Sequence, residues 1–179
     1  MVRFDPANLA KTIRAKLIEQ SGISGEFVRN AASLYGTALN KAGFDDIFST
    51  IQHSDVLLIF EIVGRDTENN VSFTEEATDD IVLTRSYEVR LTAYGDQAHE
   101  TMEALVARLR TSKVGDDLYA LGIYLQYVDT PSLFHEIING SVWTRSDASA
   151  GVSIETAVTP VVPGDRYTEV GDLVIIERR

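Results

Sequence analysis

Residues 81–93 constrain the fold most. Ile81, Leu83, Tyr87, Val89, Leu91 and Ala93 alternate with Thr84, Ser86, Glu88, Arg90 and Thr92. A period of two over about a dozen residues is the mark of a strand with one face buried. At ~3.3 Å per residue it would span about 40 Å, long for a chain of 179 residues. Tyr94-Gly95-Asp96 breaks the alternation, and Asp96 is placed to cap a helix. Met102, Leu105, Val106 and Leu109 then repeat at helical spacing, with Arg108, Arg110 and Lys113 toward the C-terminal end, where the helix dipole favours cations. Gly115-Asp116-Asp117 is expected to stop this helix, and Tyr119, Leu121, Ile123, Leu125 and Tyr127 resume a strand. Periodicity does not say whether the two strands are neighbours or how they run.

The flanking segments fill in an α+β plan. Asp5-Pro6 suits a helix start, Leu9, Ile13 and Leu17 form one face, and Ser21-Gly22 ends it. A second helix is expected from Ser24, with Phe27, Ala31, Leu34 and Leu39 buried and Gly43 at its end, making an N-terminal helical pair. Residues 56–63 are apolar except for Glu61 and read as a central strand. Residues 64–80 carry Asp66, Glu68, Glu75, Glu76, Asp79 and Asp80 against the single cation Arg65. A connection this long between strand signals suggests a hairpin arm, with Val71 and Phe73 in its own strand. Pro131 begins a turn, Leu133, Phe134, Ile137 and Ile138 pack a short element, and Asn139-Gly140 turns the chain. Val142-Trp143-Thr144 and residues 152–158 read as strands around a polar turn at 146–151. Leu173, Val174, Ile175 and Ile176 read as a last strand. The expected fold is α+β: a mainly antiparallel twisted sheet with a long hairpin arm, packed against an amphipathic helix and the N-terminal helical pair. The expected division of a single domain is N-terminal helices at 1–44, an α+β core at 56–160 and a C-terminal extension at 161–179.

Composition narrows the function. A net charge of −11 disfavours gripping phosphate, which needs Lys and Arg to release counterions, and disfavours an anionic membrane surface. With no cysteine, thiolate nucleophiles, disulfides and Cys-type metal sites are excluded. No apolar run approaches a membrane span, and the first residues lack a signal-peptide core, so a protein made in the cytoplasm is the expectation. His53, His99 and His135 have no second histidine at metal-ligand spacing, and His99 reads as a solvated surface residue. There is no phosphate loop and no G-x-S-x-G elbow. The pairs Asp79-Asp80 and Asp116-Asp117 read as solvated turns, and the acidic loop lacks the spaced ligands of a calcium site. Trp143, the single tryptophan, reads as core or interface packing. No catalytic, metal or cofactor residue is expected.

One family resembles this chain. The segment Arg85-Ser86-Tyr87-Glu88-Val89-Arg90-Leu91-Thr92-Ala93-Tyr94-Gly95, followed by Ala98 and an amphipathic helix, is similar to tailed-phage neck proteins of the tail-terminator type. So are Ile137-Ile138-Asn139-Gly140-Ser141-Val142-Trp143-Thr144-Arg145 and the alternating strand at 152–158. The resemblance covers about residues 56–160. It implies a structural virion subunit in a ring, usually sixfold, that caps the tail tube, ends tube polymerisation and joins the tail to the head connector. The tail tube protein, neck proteins and, in a contractile phage, the sheath protein would be its partners, and DNA would pass through the lumen. It also points to Asp66, Glu68, Glu75, Glu76, Asp79, Asp80, Trp143 and Arg145 as interface or lumen residues. The alternatives are a head-completion adaptor, a tube or baseplate subunit and, in a different class, a small metal-dependent enzyme or a ligand-binding module.

Overall fold

The computed structural model describes residues 4–32, 41–65, 72–75 and 80–158. Its elements are α1 (Leu9–Ser21), β1 (Val28–Asn30), α2 (Lys41–Thr50), β2 (Leu57–Arg65), β3 (Ser72–Glu75), β4 (Asp80–Tyr94), α3 (Ala98–Leu109), α4 (Ser112–Ala120), β5 (Ile123–Val128), β6 (Ser132–Ile138) and β7 (Ser141–Val158). Among the described residues they form a mixed, mostly antiparallel sheet of seven strands, ordered β1-β2-β4-β7-β5. β3 extends the β2 side of β4 and β6 extends the β5 side of β7. The α+β expectation holds.

The spine is the antiparallel ribbon of β4 and β7, in register from Ile81↔Val158 to Tyr94↔Arg145. β2 pairs antiparallel with β4 from Leu57↔Tyr94 to Arg65↔Ser86. β4 then runs past β2 and takes β3 as its partner, which builds the expected arm. β5 also pairs antiparallel with β7, so β4 and β5 run the same way with β7 between them.

The apolar run Leu57–Phe60 that opens β2 follows from burial on both faces. Leu58 and Phe60 enter the main core with Leu9, Ile13 and Leu17 of α1, Met102, Leu105 and Leu109 of α3, and Val114 and Leu118 of α4. Leu57 and Ile59 enter a second core on the opposite face with Phe48 of α2, Tyr94, Ile138 and Trp143. Each such large side chain removed from water contributes about 1.5–3 kcal/mol.

The structure corrects five local expectations. The second N-terminal helix does not start at Ser24: Gly25–Phe27 is a 3-10 turn, and Val28–Asn30 is a strand parallel to β2. Val28 is fully buried there, so sheet pairing outweighs local helical spacing. Gly43 lies inside α2 rather than ending a helix, while Leu34 and Leu39 lie outside the described residues. Asp96 caps nothing; its backbone N–H donates to His53 O at 2.7 Å, and α3 begins without a side-chain cap. Gly115 does not stop the helix. The break comes at Thr111, whose backbone is extended and whose hydroxyl donates to Arg108 O at 2.6 Å. α4 then carries Gly115 and Tyr119, held down by buried Val114 and Leu118.

The fifth correction concerns residues 146–151, which form no turn but the middle of one 18-residue strand. β4 pairs with the whole of this stretch on one side, and β6 and β5 pair with its two ends on the other, so the chain is held extended from both sides. Ser146, Asp147 and Ser149 find partners in His99, Arg145 and Asp129. At Gly151 an added Cβ would lie 2.2 Å from the ring of Tyr127, which crosses the strand there. Leu133 to Ile138 belong to a strand, and Asn139-Gly140 makes the expected tight turn, with φ of 52° and 78°.

Candidate assembly surfaces

Strand alternation sends Tyr94, Thr92, Arg90 and Glu88 of β4 to the same sheet face as Arg145, Asp147 and Ser149 of β7 and Glu61 of β2. Beyond the second core this face is mainly polar, with Phe134 of β6 exposed on it beside Arg145. Arg145 donates from Nε and Nη2 to the two Asp147 oxygens at 2.9 and 2.8 Å, and from Nη1 to Glu136 at 3.1 Å. The Tyr94 hydroxyl donates to the same Glu136 oxygen at 3.0 Å. The Asp147 bonds raise the Arg145 pKa further above its ordinary value, and burial raises that of Tyr94. Arg90 lies 3.2 Å from Glu88 and 3.7 Å from Glu61. A shallow depression of about 320 Å³ opens between these groups, lined by Glu88, Arg90, Asp129, Arg145 and Asp147. Arg90 and Arg145 are thus engaged by two carboxylates each.

Trp143 is 2% exposed. It meets Phe48 edge-on at 5.0 Å and stacks on His53 at 3.9 Å, so it supports this surface from beneath. Asp66, Glu68, Glu76 and Asp79 lie outside the described residues. Glu75 and Asp80 are backbone partners at the end of the β3–β4 arm.

A second surface is the β6–β7 hairpin. Leu133, Phe134, Ile137 and Val142 are 49%, 48%, 74% and 62% exposed. Ile137 and Val142 are direct cross-strand partners. The corner leading into β6 is braced. Arg110 donates to Val128 O at 2.8 and 3.1 Å and to the Thr130 hydroxyl at 3.2 Å, and Asp129 N–H donates to Ser149 O at 2.8 Å.

His99 is half-buried rather than solvated. Its Nδ1 lies 3.1 Å from Ser146 Oγ and its Nε2 3.6 Å from Glu103. The trio has the residue types of a hydrolase triad, but Ser146 is 0% exposed, so its hydroxyl offers no access to a substrate and serves to orient the imidazole. Asp117 is a structural carboxylate. Lys113 at 3.1 Å and Lys16 at 3.2 Å tie α4 to α1 through it and lower its pKa. Among the described residues no three His, Asp or Glu side chains gather as metal ligands, and no helix is long and apolar enough to cross a membrane.

The sequence reading had pointed to Arg145 but not to Glu136, Tyr94, Glu61 or Arg90. The signal was present in the polar half of the β4 alternation, and only the register shows which strands it faces.

Among the described residues the sheet thus combines a polar face, an edge strand β6 paired on one side only and exposed aliphatic side chains, the features of a contact surface rather than of a substrate pocket. The family model for phage neck terminator proteins matches residues 51–176, more than two thirds of the chain. The chain belongs to that family, a family of structural virion proteins of the phage neck. The match runs past Pro160 to Ile176, so it takes in most of the tail that the sequence resemblance left out. No curated protein matches the chain.

Proposed function

We propose that the protein assembles into a sixfold ring that caps the tail tube, ends its polymerisation and joins it to the head connector, with DNA passing through the lumen. The observation that carries this reading is the polar sheet face. Glu61, Glu88, Glu136 and Asp147 engage Arg90 and Arg145 at its centre. A patch whose arginines are held by carboxylates offers phosphate little counterion release. The patch therefore suits a passage that DNA crosses without sticking. The segment 66–80 adds to it by lining the channel or reaching a neighbouring subunit, and Trp143 and Arg145 act by keeping the surface rigid. A heterologous contact whose rotation closes makes such a ring.

The test adds purified protein to polymerising tail tube subunits and follows tube length by negative-stain microscopy. Capping predicts that tubes stop growing and carry one added ring at an end. Tubes of unchanged length and unmodified ends would overturn the reading. Deleting 66–80 should impair ring formation or tail joining; full retention of both would remove that segment from the account.

A further inference from the structure

We infer that the outer edge of β6 is a docking edge for residues 173–176 of a neighbouring copy. The inference rests on the ring reading and deepens it by naming one contact. β6 pairs only with β7 among the described residues. Ile138 and Ser141 flank a two-residue turn and therefore form a hydrogen-bonded pair. Alternation then leaves the backbone N–H and C=O groups of Leu133, His135 and Ile137 pointing away from β7. The same three residues share a sheet face, and the Leu133 and Ile137 side chains on it are exposed. The Arg110 brace fixes the strand in line before any partner arrives, which lowers the ordering cost of docking.

The occupant follows from the rest of the chain. Leu173, Val174, Ile175 and Ile176 are four consecutive aliphatic residues, three of them β-branched, and the family match ends on the last. A segment of this type adds to an open edge through its backbone and seats alternate side chains beside those already there. Charge agrees. In a chain of net −11, residues 130–144 hold a single carboxylate, Glu136, which is bound by Arg145 and Tyr94. The aliphatic run itself is uncharged and lies between Asp172 and Glu177, with Arg178 and Arg179 beyond.

Reach favours a neighbour over the chain's own tail. Val158 stands at the far end of β7, about 40 Å along the strand from Ser146, which is level with Leu133. Fourteen residues lie between Val158 and Leu173, a span of at most about 50 Å when straight. That stretch contains Pro160 and the turn-favouring Pro163-Gly164, so a nearly straight return path is disfavoured.

The absence of cysteine makes the test clean. Protein bearing Leu133→Cys, His135→Cys or Ile137→Cys is mixed with protein bearing Val174→Cys or Ile175→Cys, assembled into rings and oxidised. Neighbouring strands bring Cβ atoms within about 5 Å, close enough for a disulfide after small adjustment. The expected result is a cross-linked dimer from at least one pair, absent when Lys113→Cys replaces the β6 cysteine. In addition, Ile175→Asp should break the rings while leaving the thermal midpoint of the separated subunit unchanged. Intact rings without cross-links overturn the proposal and leave the ring reading standing. Cross-links that form only when both cysteines share one chain assign the edge to the chain's own tail and also overturn it. If the parent protein makes no ring, alone or on tubes, the ring reading itself fails and this contact falls with it.

Discussion

Arg145 and Asp147, two residues apart on β7 and on one face of the sheet, are joined by two parallel N–H···O bonds of 2.9 and 2.8 Å. The fork geometry fixes the guanidinium so that its remaining nitrogen meets Glu136 on β6. Through Glu136 the pair is connected to Tyr94 at the end of β4. Three strands are thereby locked at the point where the β6–β7 hairpin leaves the sheet.

Arg145→Ala should cost about 1–3 kcal/mol, because it leaves two half-buried carboxylates facing each other without a cation. Arg145→Lys should recover only part of this, since an ammonium cannot make the two-pronged contact. Urea denaturation measures both, and a neutral Arg145→Ala would mean that the network adds nothing to stability.

Gly151→Ala should also destabilise, by about 1–3 kcal/mol, through its clash with the Tyr127 ring. Because the obstacle is a side chain, Tyr127→Ala should relieve most of the added cost in the double variant. A double-mutant cycle reads this directly. Additive losses would show that Gly151 is needed for another reason.

Tyr94 supplies a pH prediction. Burial raises its folded-state pKa above the unfolded value of about 10. Its contribution is therefore fully present below pH 10 and is lost as pH rises from there toward the folded pKa, because only the unfolded chain ionises in that window. Tyr94→Phe should lower stability at pH 7 by about 1 kcal/mol through the lost bond to Glu136. It should also flatten the decline above pH 10. An unchanged alkaline limb in thermal melts would contradict the assignment.

On the polar face, Glu61→Gln combined with Glu88→Gln releases Arg90 from both carboxylates. Duplex DNA should then bind measurably tighter, with an affinity that falls steeply with salt. Fluorescence anisotropy at two ionic strengths is the check. No gain in binding would show that these carboxylates do not screen the face from phosphate.

Part of this architecture was legible because one force dominated locally. The alternation in β4, the two-sided apolar run of β2 and the Asn139-Gly140 turn each follow from burial or backbone geometry within a few residues. The long β7 was not legible, because Ser146, Asp147, Ser149 and Gly151 are turn-prone types. What keeps them extended lies elsewhere in the chain, at His99, Arg145, Asp129 and Tyr127. The break between α3 and α4 was equally hidden: Thr111 ends one helix through a bond to Arg108 O, while Gly115 sits in the next. The polar face required the register, since Glu61, Arg90 and Arg145 belong to three different strands.

The central claim is a closed ring of identical subunits. The most direct measurement is molar mass by light scattering, first on the protein alone and then on the species recovered with disrupted tail tubes. The account predicts six subunits of 19.7 kDa each, either free or formed only on tube ends. A monomer that never associates with tubes would contradict it.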